Sequence, residues 1–437
     1  MPSARIMGSS LRMSMIAWCG LIVLSRADWK TVNLETPCRD KPALHIDESG
    51  ILHFIATGDS LLYSSTPTGL ANPQTVDTVD APSADIAVNS RGEVTILYAA
   101  YSGWEDSSFL KRADYRGSGW DYRKISSKDA WSINCVYDQS DTLHCSYMNA
   151  LRIASSGRLY YHKLTSSGFV DSWMPPDEVY DAATLAVDPM NHAHLAFYFI
   201  GPVHGLFYQT NSPDGVFPAV YQKFDEIGGQ MEGMNIDIVA DTNAIPHVVY
   251  NGVMNGDCRY ATLVDDQWDT VSVATGDEGC SGPSIAIDNE DALHIAYFDN
   301  TQRKLMYGTN TAGTWTMTPI ADGSYGYTDI GTDNNGYVFI LWSEGELHLA
   351  TDAPLPTIAV HPGGLDFGEV GLGKRRSDTV HVYNSGDVEL VVDSVILVGA
   401  DKDDFSVTGN CTTLGAGDSC MLITTFAPSE TGNRYAT

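Results

Sequence analysis

Histidine and aspartate recur at regular intervals in this 437-residue chain, and they are the first candidates for chemistry. His53, His144, His194, His247 and His294 stand at one equivalent place in successive segments, with Thr95 and Phe339 at that place in two others. Several imidazoles bind a metal when they converge on one ion at about 2.0 Å. Equivalent places in a ring of repeats are held apart, so these five cannot share an ion. The role expected of each ring is a hydrogen bond to a neighbouring strand or turn.

Asp47, Asp188, Asp241, Asp288 and Asp333 are also repeat-equivalent. An aspartate that opens a turn caps it by accepting backbone N–H bonds. A calcium loop needs oxygens at alternating close positions and a bidentate carboxylate. Asp288-Asn289-Glu290-Asp291 comes nearest, but its sister turns do not repeat the pattern, so caps are expected and a structural calcium ion is unsupported. No cofactor is called for.

The elements that carry these residues follow from one template. Pro283–Ile320 reads as four short strands: Ser284–Asp288, Leu293–Phe298, Lys304–Gly308 and Thr314–Ile320, separated by Asp-, Asn- and Gly-bearing turns. Related segments begin at Pro42, Ser83, Ser132, Ala183, Asn235 and Tyr327. Their turns open at Asp47, Asn89, Asp138, Asp188, Asp241, Asp288 and Asp333, 42 to 53 residues apart. Seven copies of a four-strand unit at this period predict a seven-bladed β-propeller, each small sheet burying its faces against its neighbours. The β-branched and aromatic alternation, with no 3.6-residue period, excludes helical repeats.

The seventh copy lacks the Trp-bearing fourth strand seen as Trp120–Ile125, Trp268–Val273 and Trp315–Ile320. Trp29–Leu34, at the N-terminus, supplies that pattern and is expected to complete the last blade from outside. The turn Asn310-Thr311-Ala312-Gly313-Thr314-Trp315 is similar to the Asp-box of sialidases and related propellers, S-x-D-x-G-x-T-W. The Asp and one residue of spacing are missing. The similarity implies a sialidase-like propeller shape without the chemistry. Three converging arginines and a Tyr/Glu pair would be needed for that, and Arg39, Arg152, Arg259 and Arg303 show no such spacing.

Arg5 and Arg12 precede the mostly apolar run Met13–Leu24, which is too short to span a bilayer, and Ser25-Arg26-Ala27 offers a cleavage site. Residues 1–27 are therefore expected to be an export signal. Cleavage would remove three of the 25 basic residues and leave 22 against 55 acids, changing the formal charge from −30 to −33. Such a charge argues against nucleic acid and anionic membrane surfaces as partners. Export makes the seven remaining cysteines disulfide candidates. Cys135–Cys145, Cys258–Cys280 and Cys411–Cys420 are the expected pairs, with Cys38 left over.

The propeller is expected over 28–352, and 353–357 reads as a Pro-rich linker. The rest, 358–437, alternates over short strands like a β-sandwich. It resembles the ASPM/SPD-2/Hydin (ASH-type) immunoglobulin-like family through Leu365-Asp366-Phe367-Gly368, Asn384-Ser385-Gly386, Asp404-Phe405, Cys411, Cys420 and Phe426-Ala427-Pro428. The family pattern runs on past Gly432 with another strand, so the sequence reads as an incomplete domain of a longer protein.

Loops from every blade converge on one propeller face, where ligands are expected. They carry Tyr101, Trp104, Glu105, Asp106, Trp131, His204, Met231, Glu232, Met234, Asp277, Glu278, Tyr325 and Tyr327. Aromatics suit stacking on sugar rings, and carboxylates accept hydrogen bonds from hydroxyls. The expectation is a secreted or cell-surface binding module for a glycan or protein. The alternatives are a carbohydrate-active enzyme, a sialidase-like hydrolase or polysaccharide lyase using carboxylates on that face, and a structural spacer of a larger adhesin.

Overall fold

The computed structural model describes residues 29–436, except for 67–72, 102–107, 118, 127–129, 150–157, 166–167, 174–181, 200–204, 212–216, 219–220, 227–234, 252–255, 275–278, 312, 324–325, 356–357 and 393–394. It divides into two compact units that meet between Asp352 and Ala353. The expected export signal lies outside the described residues.

The first unit holds seven four-stranded antiparallel sheets, here blades 1 to 7. Their first strands are Ala43–Ile46, Ala84–Val88, Trp131–Tyr137, Ala183–Val187, Ile236–Ala240, Cys280–Ile287 and Tyr327–Thr332. First strands of successive blades lie side by side, and that of blade 7 lies beside that of blade 1. Lys30–Cys38 pairs antiparallel with Gly345–Thr351 and supplies the fourth strand of blade 7, as the displaced tryptophan pattern predicted.

A four-stranded sheet cannot bury its own faces, and the packing shows where they go. Seven apolar clusters each draw from two neighbouring blades. The one between blades 7 and 1 joins Leu341, Leu347 and Leu349 to Leu52 and Phe54. At about 2 kcal/mol per buried large apolar side chain, these interfaces are the main stabilisation of the array.

The repeated polar residues tie each blade together. In all seven first hairpins the turn-opening Asp or Asn accepts, through Oδ1, the backbone N–H groups two and four residues ahead, as Asp47 does from Ser49 and Ile51. The residue three places on is left-handed in every blade: Gly50, Gly92, Asp141, Asn191, Ala244, Asp291 and Gly336. Glycine, asparagine and aspartate tolerate that conformation best, which is why the turns look Asx- and Gly-rich in sequence.

The second carboxylate oxygen faces the repeated histidine. His144 Nε2 lies 3.0 Å from Asp138 Oδ2, and its Nδ1 lies 2.5 Å from the Tyr161 hydroxyl. A carboxylate only accepts, so Nε2 donates to it and Nδ1 accepts a hydrogen bond from the Tyr161 hydroxyl. Asp47–His53–Tyr63, Asp188–His194–Tyr208 and Asp288–His294–Tyr307 repeat the arrangement. In blade 5 His247 bonds Tyr260 and stands 3.8 Å from Asp241. The histidines are thus local braces, as expected. Blade 2 substitutes Thr95, bonded to Asp114 and Tyr137.

The fourth-strand tryptophans join blades. Trp120, Trp268, Trp315 and Trp29 pack on Tyr63, Tyr208, Tyr260 and Tyr307 of the preceding blade, with ring centroids 4.8–5.3 Å apart. Three meet the tyrosine edge to face and Trp29 meets it tilted, and in each case that tyrosine ends an Asp–His–Tyr brace.

Two expected disulfides are present, Cys258–Cys280 and Cys411–Cys420. Cys135 and Cys145 are instead free, which corrects the expected bridge. They are directly opposed in register. Opposed residues hold their Cβ atoms about 4.5–5.5 Å apart, whereas a disulfide needs about 3.8 Å. Both pack inside one apolar cluster shared by blades 2 and 3. Cys38 is also free and buried, and burial pushes its thiol up to about 11. Alkylating the unfolded, unreduced protein should therefore label Cys38, Cys135 and Cys145 and spare the two bridged pairs. A tryptic peptide with Cys135 linked to Cys145 would contradict this.

In the second unit Arg376–Asn384 pairs with Ile358–His361 and Ser419–Phe426, and the latter pairs with Phe405–Thr408. The motif residues have plain structural duties. Phe367, Phe405 and Phe426 form one ring cluster. Asn384 bonds Val388, Leu414 and Gly386 through its side chain.

Candidate functional site

Three of the innermost strands carry an aspartate four residues before the turn: Asp85 in blade 2, Asp237 in blade 5 and Asp329 in blade 7. The other blades have Ala43, Asn134, Thr184 and Ser284 at this place. Each aspartate accepts from the backbone N–H of the next residue in its own strand through Oδ1, at 2.9–3.1 Å. Through Oδ2 each accepts from the next blade: Asp85 from Cys135 at 2.7 Å, Asp237 from Ile285 at 3.0 Å, and Asp329 from Leu44 of blade 1 at 2.7 Å. Asn134 and Ser132 make the corresponding link to Ala183, and Ser284 to Thr328. The strand edges around the axis are thus fastened by side chains, because neighbouring first strands do not pair as a sheet.

These strands enclose a cavity of about 510 Å³ with walls from all seven blades. The lining comes from the beginnings of the first strands, the end where the loops between blades emerge. Nearer the hairpin turns only His45 contributes. The cavity therefore occupies the loop-face half of the central channel.

Lys41 lines it together with the three aspartates and Asp40, whose carboxylate lies beside Arg39. Burial works against the lysine's charge, but Asp237, Asp329 and Asp85 outweigh it and raise the pKa above the ordinary value. Burial also lifts the carboxyls, Asp85 to about 6 and Asp329 to about 7, and Asp237 in the same direction. The hydrogen bonds they accept and the lysine oppose that rise. Burial lowers His45 to about 4, so it is neutral at physiological pH.

Of the loop-face residues expected from sequence, Trp131 and Tyr327 line the cavity. Tyr101 ends its strand half-buried, its N–H bonded to Asp80. Trp104, Glu105, Asp106, His204, Met231, Glu232, Met234, Asp277, Glu278 and Tyr325 lie outside the described residues. Arg39 and Arg259 are engaged by Asp59 and Asp80, and by Asp225, respectively. Neither they nor Arg303 line the cavity. Among the described residues no cluster of His, Cys, Asp and Glu is arranged to hold a metal ion.

Sequence reasoning missed Lys41, Asp85, Asp237 and Asp329. A signal existed: the seven aligned segments place them at, or just before, the start of the first strand. Their position on the axis, where equivalent places do converge, distinguishes them from the repeated histidines.

The C-terminal residues 356–437 match the family model described as "Abnormal spindle-like microcephaly-assoc'd, ASPM-SPD-2-Hydin", the family resembled by the Leu365–Pro428 motifs. No curated protein matches the sequence. Among solved structures the chain is similar to a fungal alcohol oxidase of the AA5 family in complex with copper. That match has 10% identity, covers 93% of this chain and 94% of the other, and has a TM-score of 0.51. It is also similar to Kuenenia stuttgartiensis hydrazine synthase, at 9% identity, 73% and 96% coverage and a TM-score of 0.50. Virginiamycin B lyase from Staphylococcus aureus overlaps at 10% identity, 74% and 98% coverage and a TM-score of 0.49. At these identities the likeness is one of fold alone. The chain is a seven-bladed β-propeller followed by an immunoglobulin-like ASH domain.

Proposed function

We propose that the propeller is a non-catalytic binding module of an exported protein and takes a glycan at the cavity on its loop face. The observation that carries this reading is the state of the three carboxylates. Each has both oxygens engaged by backbone N–H groups, so they are fixed acceptors and not mobile acid–base groups. Beside them Trp131 and the exposed Tyr327 offer aromatic surface for a sugar ring. Export is supported by the bridged cysteines, which fit an oxidising compartment. No helix among the described residues is long and apolar enough to cross a membrane.

The test is a glycan array probed with the full chain beside Tyr327→Ala. Tyr327 is 39% exposed, so its truncation leaves the fold intact. Loss of one stacked ring should weaken binding about tenfold, from a contact worth roughly 0.5–1.5 kcal/mol beyond its buried area. An array without hits, with a protein recovered instead, would overturn the glycan reading.

One observation favours a second reading, a carbohydrate-active enzyme. Asp329, with a pKa of about 7, carries a proton through much of the neutral range, as a general acid must. Release of reducing ends from a bound glycan, abolished by Asp329→Asn, would establish it. Stable binding without product excludes it.

A further inference from the structure

The cavity presents an unequal set of polar groups, and that inequality specifies a ligand. Ser132 is spent on Ala183, and the Asn134 amide nitrogen on Ala183, Ser146 and the Ser132 carbonyl. Asp85 and Asp329 each use two of about four acceptor sites on backbone N–H groups, and Asp237 uses two on backbone N–H groups and one on the Thr184 hydroxyl, so acceptor capacity remains on all three. The Lys41 carbonyl accepts from the Thr57 hydroxyl, while its ammonium interacts with these carboxylates through space and makes no hydrogen bond among the described residues. The ammonium and the carboxylates thus stand around the cavity without closing on one another. Filling the gap takes a molecule that donates several hydrogen bonds and accepts one or two.

We propose that the cavity is a socket for the terminal residue of an uncharged glycan, with Asp85, Asp237 and Asp329 accepting from its hydroxyls and Lys41 donating to one of its oxygens. This rests on the glycan reading above and narrows it. Walls from all seven blades surround the channel axis, and the lining stops at His45, so a chain enters by its end and does not lie across. A volume of about 510 Å³ falls in the range of small-ligand sites, about 300–1,000 Å³. Four lining carboxylates, Asp40, Asp85, Asp237 and Asp329, with Arg39 beside Asp40, against the one lining ammonium leave the socket negative when all are ionised, so sialylated, uronic or sulfated ends are repelled. Tyr327 at the rim and Trp131 in the wall supply the stacking faces.

The experiment measures affinity of the full chain at pH 8 for matched glycans that differ only at the end: a neutral terminal sugar, the same end capped by sialic or uronic acid, and the same end permethylated. Wild type, Asp237→Asn and Tyr327→Ala are compared, with thermal melts confirming that each variant folds. Asn keeps an oxygen for Ile285 while giving up the charge, so the staple has a replacement acceptor. The neutral end should bind, and capping or permethylation should each weaken it at least tenfold. Asp237→Asn should cost about 10–100-fold, the value of a hydrogen bond to a charged group. Binding that prefers acidic ends, survives permethylation of the terminus, or is unchanged in Asp237→Asn overturns the socket and leaves glycan binding elsewhere on the loop face standing. Absence of any glycan binding overturns both.

Discussion

Replacing Lys41 with methionine is expected to lower the melting temperature of the propeller at pH 8 and to do so much less at pH 5. Lys41 is the cation that offsets burial of Asp85, Asp237 and Asp329. Removing one partner from a buried charge group costs about 3–5 kcal/mol, and water in the half-open channel reduces this to roughly 2 kcal/mol. For a domain of this size that is a shift of about 3 °C. The pH dependence follows from the carboxyls. Their folded pKa values, about 6 for Asp85 and about 7 for Asp329, lie above the unfolded value of about 3.9. Their contribution to stability is therefore full below about pH 4 and is lost as the pH rises through 6 to 7. Without the lysine their pKa values rise further. The variant then carries its largest penalty where the carboxylates are forced to ionise, and it recovers as they take up protons. A deficit equal at pH 5 and pH 8 would mean that Lys41 contributes packing and not charge.

The second large effect is expected in blade 3. His144 and Asp138 are closed off from solvent, with side-chain exposures of 0% and 2%. His144→Ala removes a buried ring and leaves both Asp138 Oδ2 and the Tyr161 hydroxyl without their partner, a loss of about 3–4 kcal/mol. His144→Phe restores volume, as Phe339 does at the same place in blade 7, and should lose only about 2 kcal/mol. Burial lowers the His144 pKa, with Asp138 acting against the shift. Its contribution is accordingly present above about pH 6.5 and is lost as the pH falls. The gap between wild type and His144→Phe should narrow below that pH in chemical denaturation. A gap that widens in acid would show that the histidine is charged in the fold.

Much of the propeller was legible because its repeat states local rules seven times. The turn-opening Asp or Asn, the left-handed residue three places later and the alternating strands are set by backbone sterics and short hydrogen bonds. These depend on neighbours within one hairpin. The missing fourth strand of blade 7 was legible for the same reason, since Trp29 carries the pattern absent after Thr351. In the second unit, Phe367, Phe405 and Phe426 were legible only as matches to the resembled family, and their ring cluster came from the fold.

What the sequence alone determined, then, is everything that repeats: blade number, the hairpin turns, the outer strand and the bracing role of the histidines. Tertiary structure decided what happens where the copies differ and meet. Cys135 and Cys145 were correctly placed opposite each other, but that they stay free is decided by the distance between them in the folded sheet. Asp85, Asp237, Asp329 and Lys41 are 44, 152 and 92 residues apart in turn along Lys41–Asp85–Asp237–Asp329. They act on one another only because seven first strands surround one axis. Their pKa values and their staples to the next blade come from that convergence, a property of the closed set of neighbours and not of any segment.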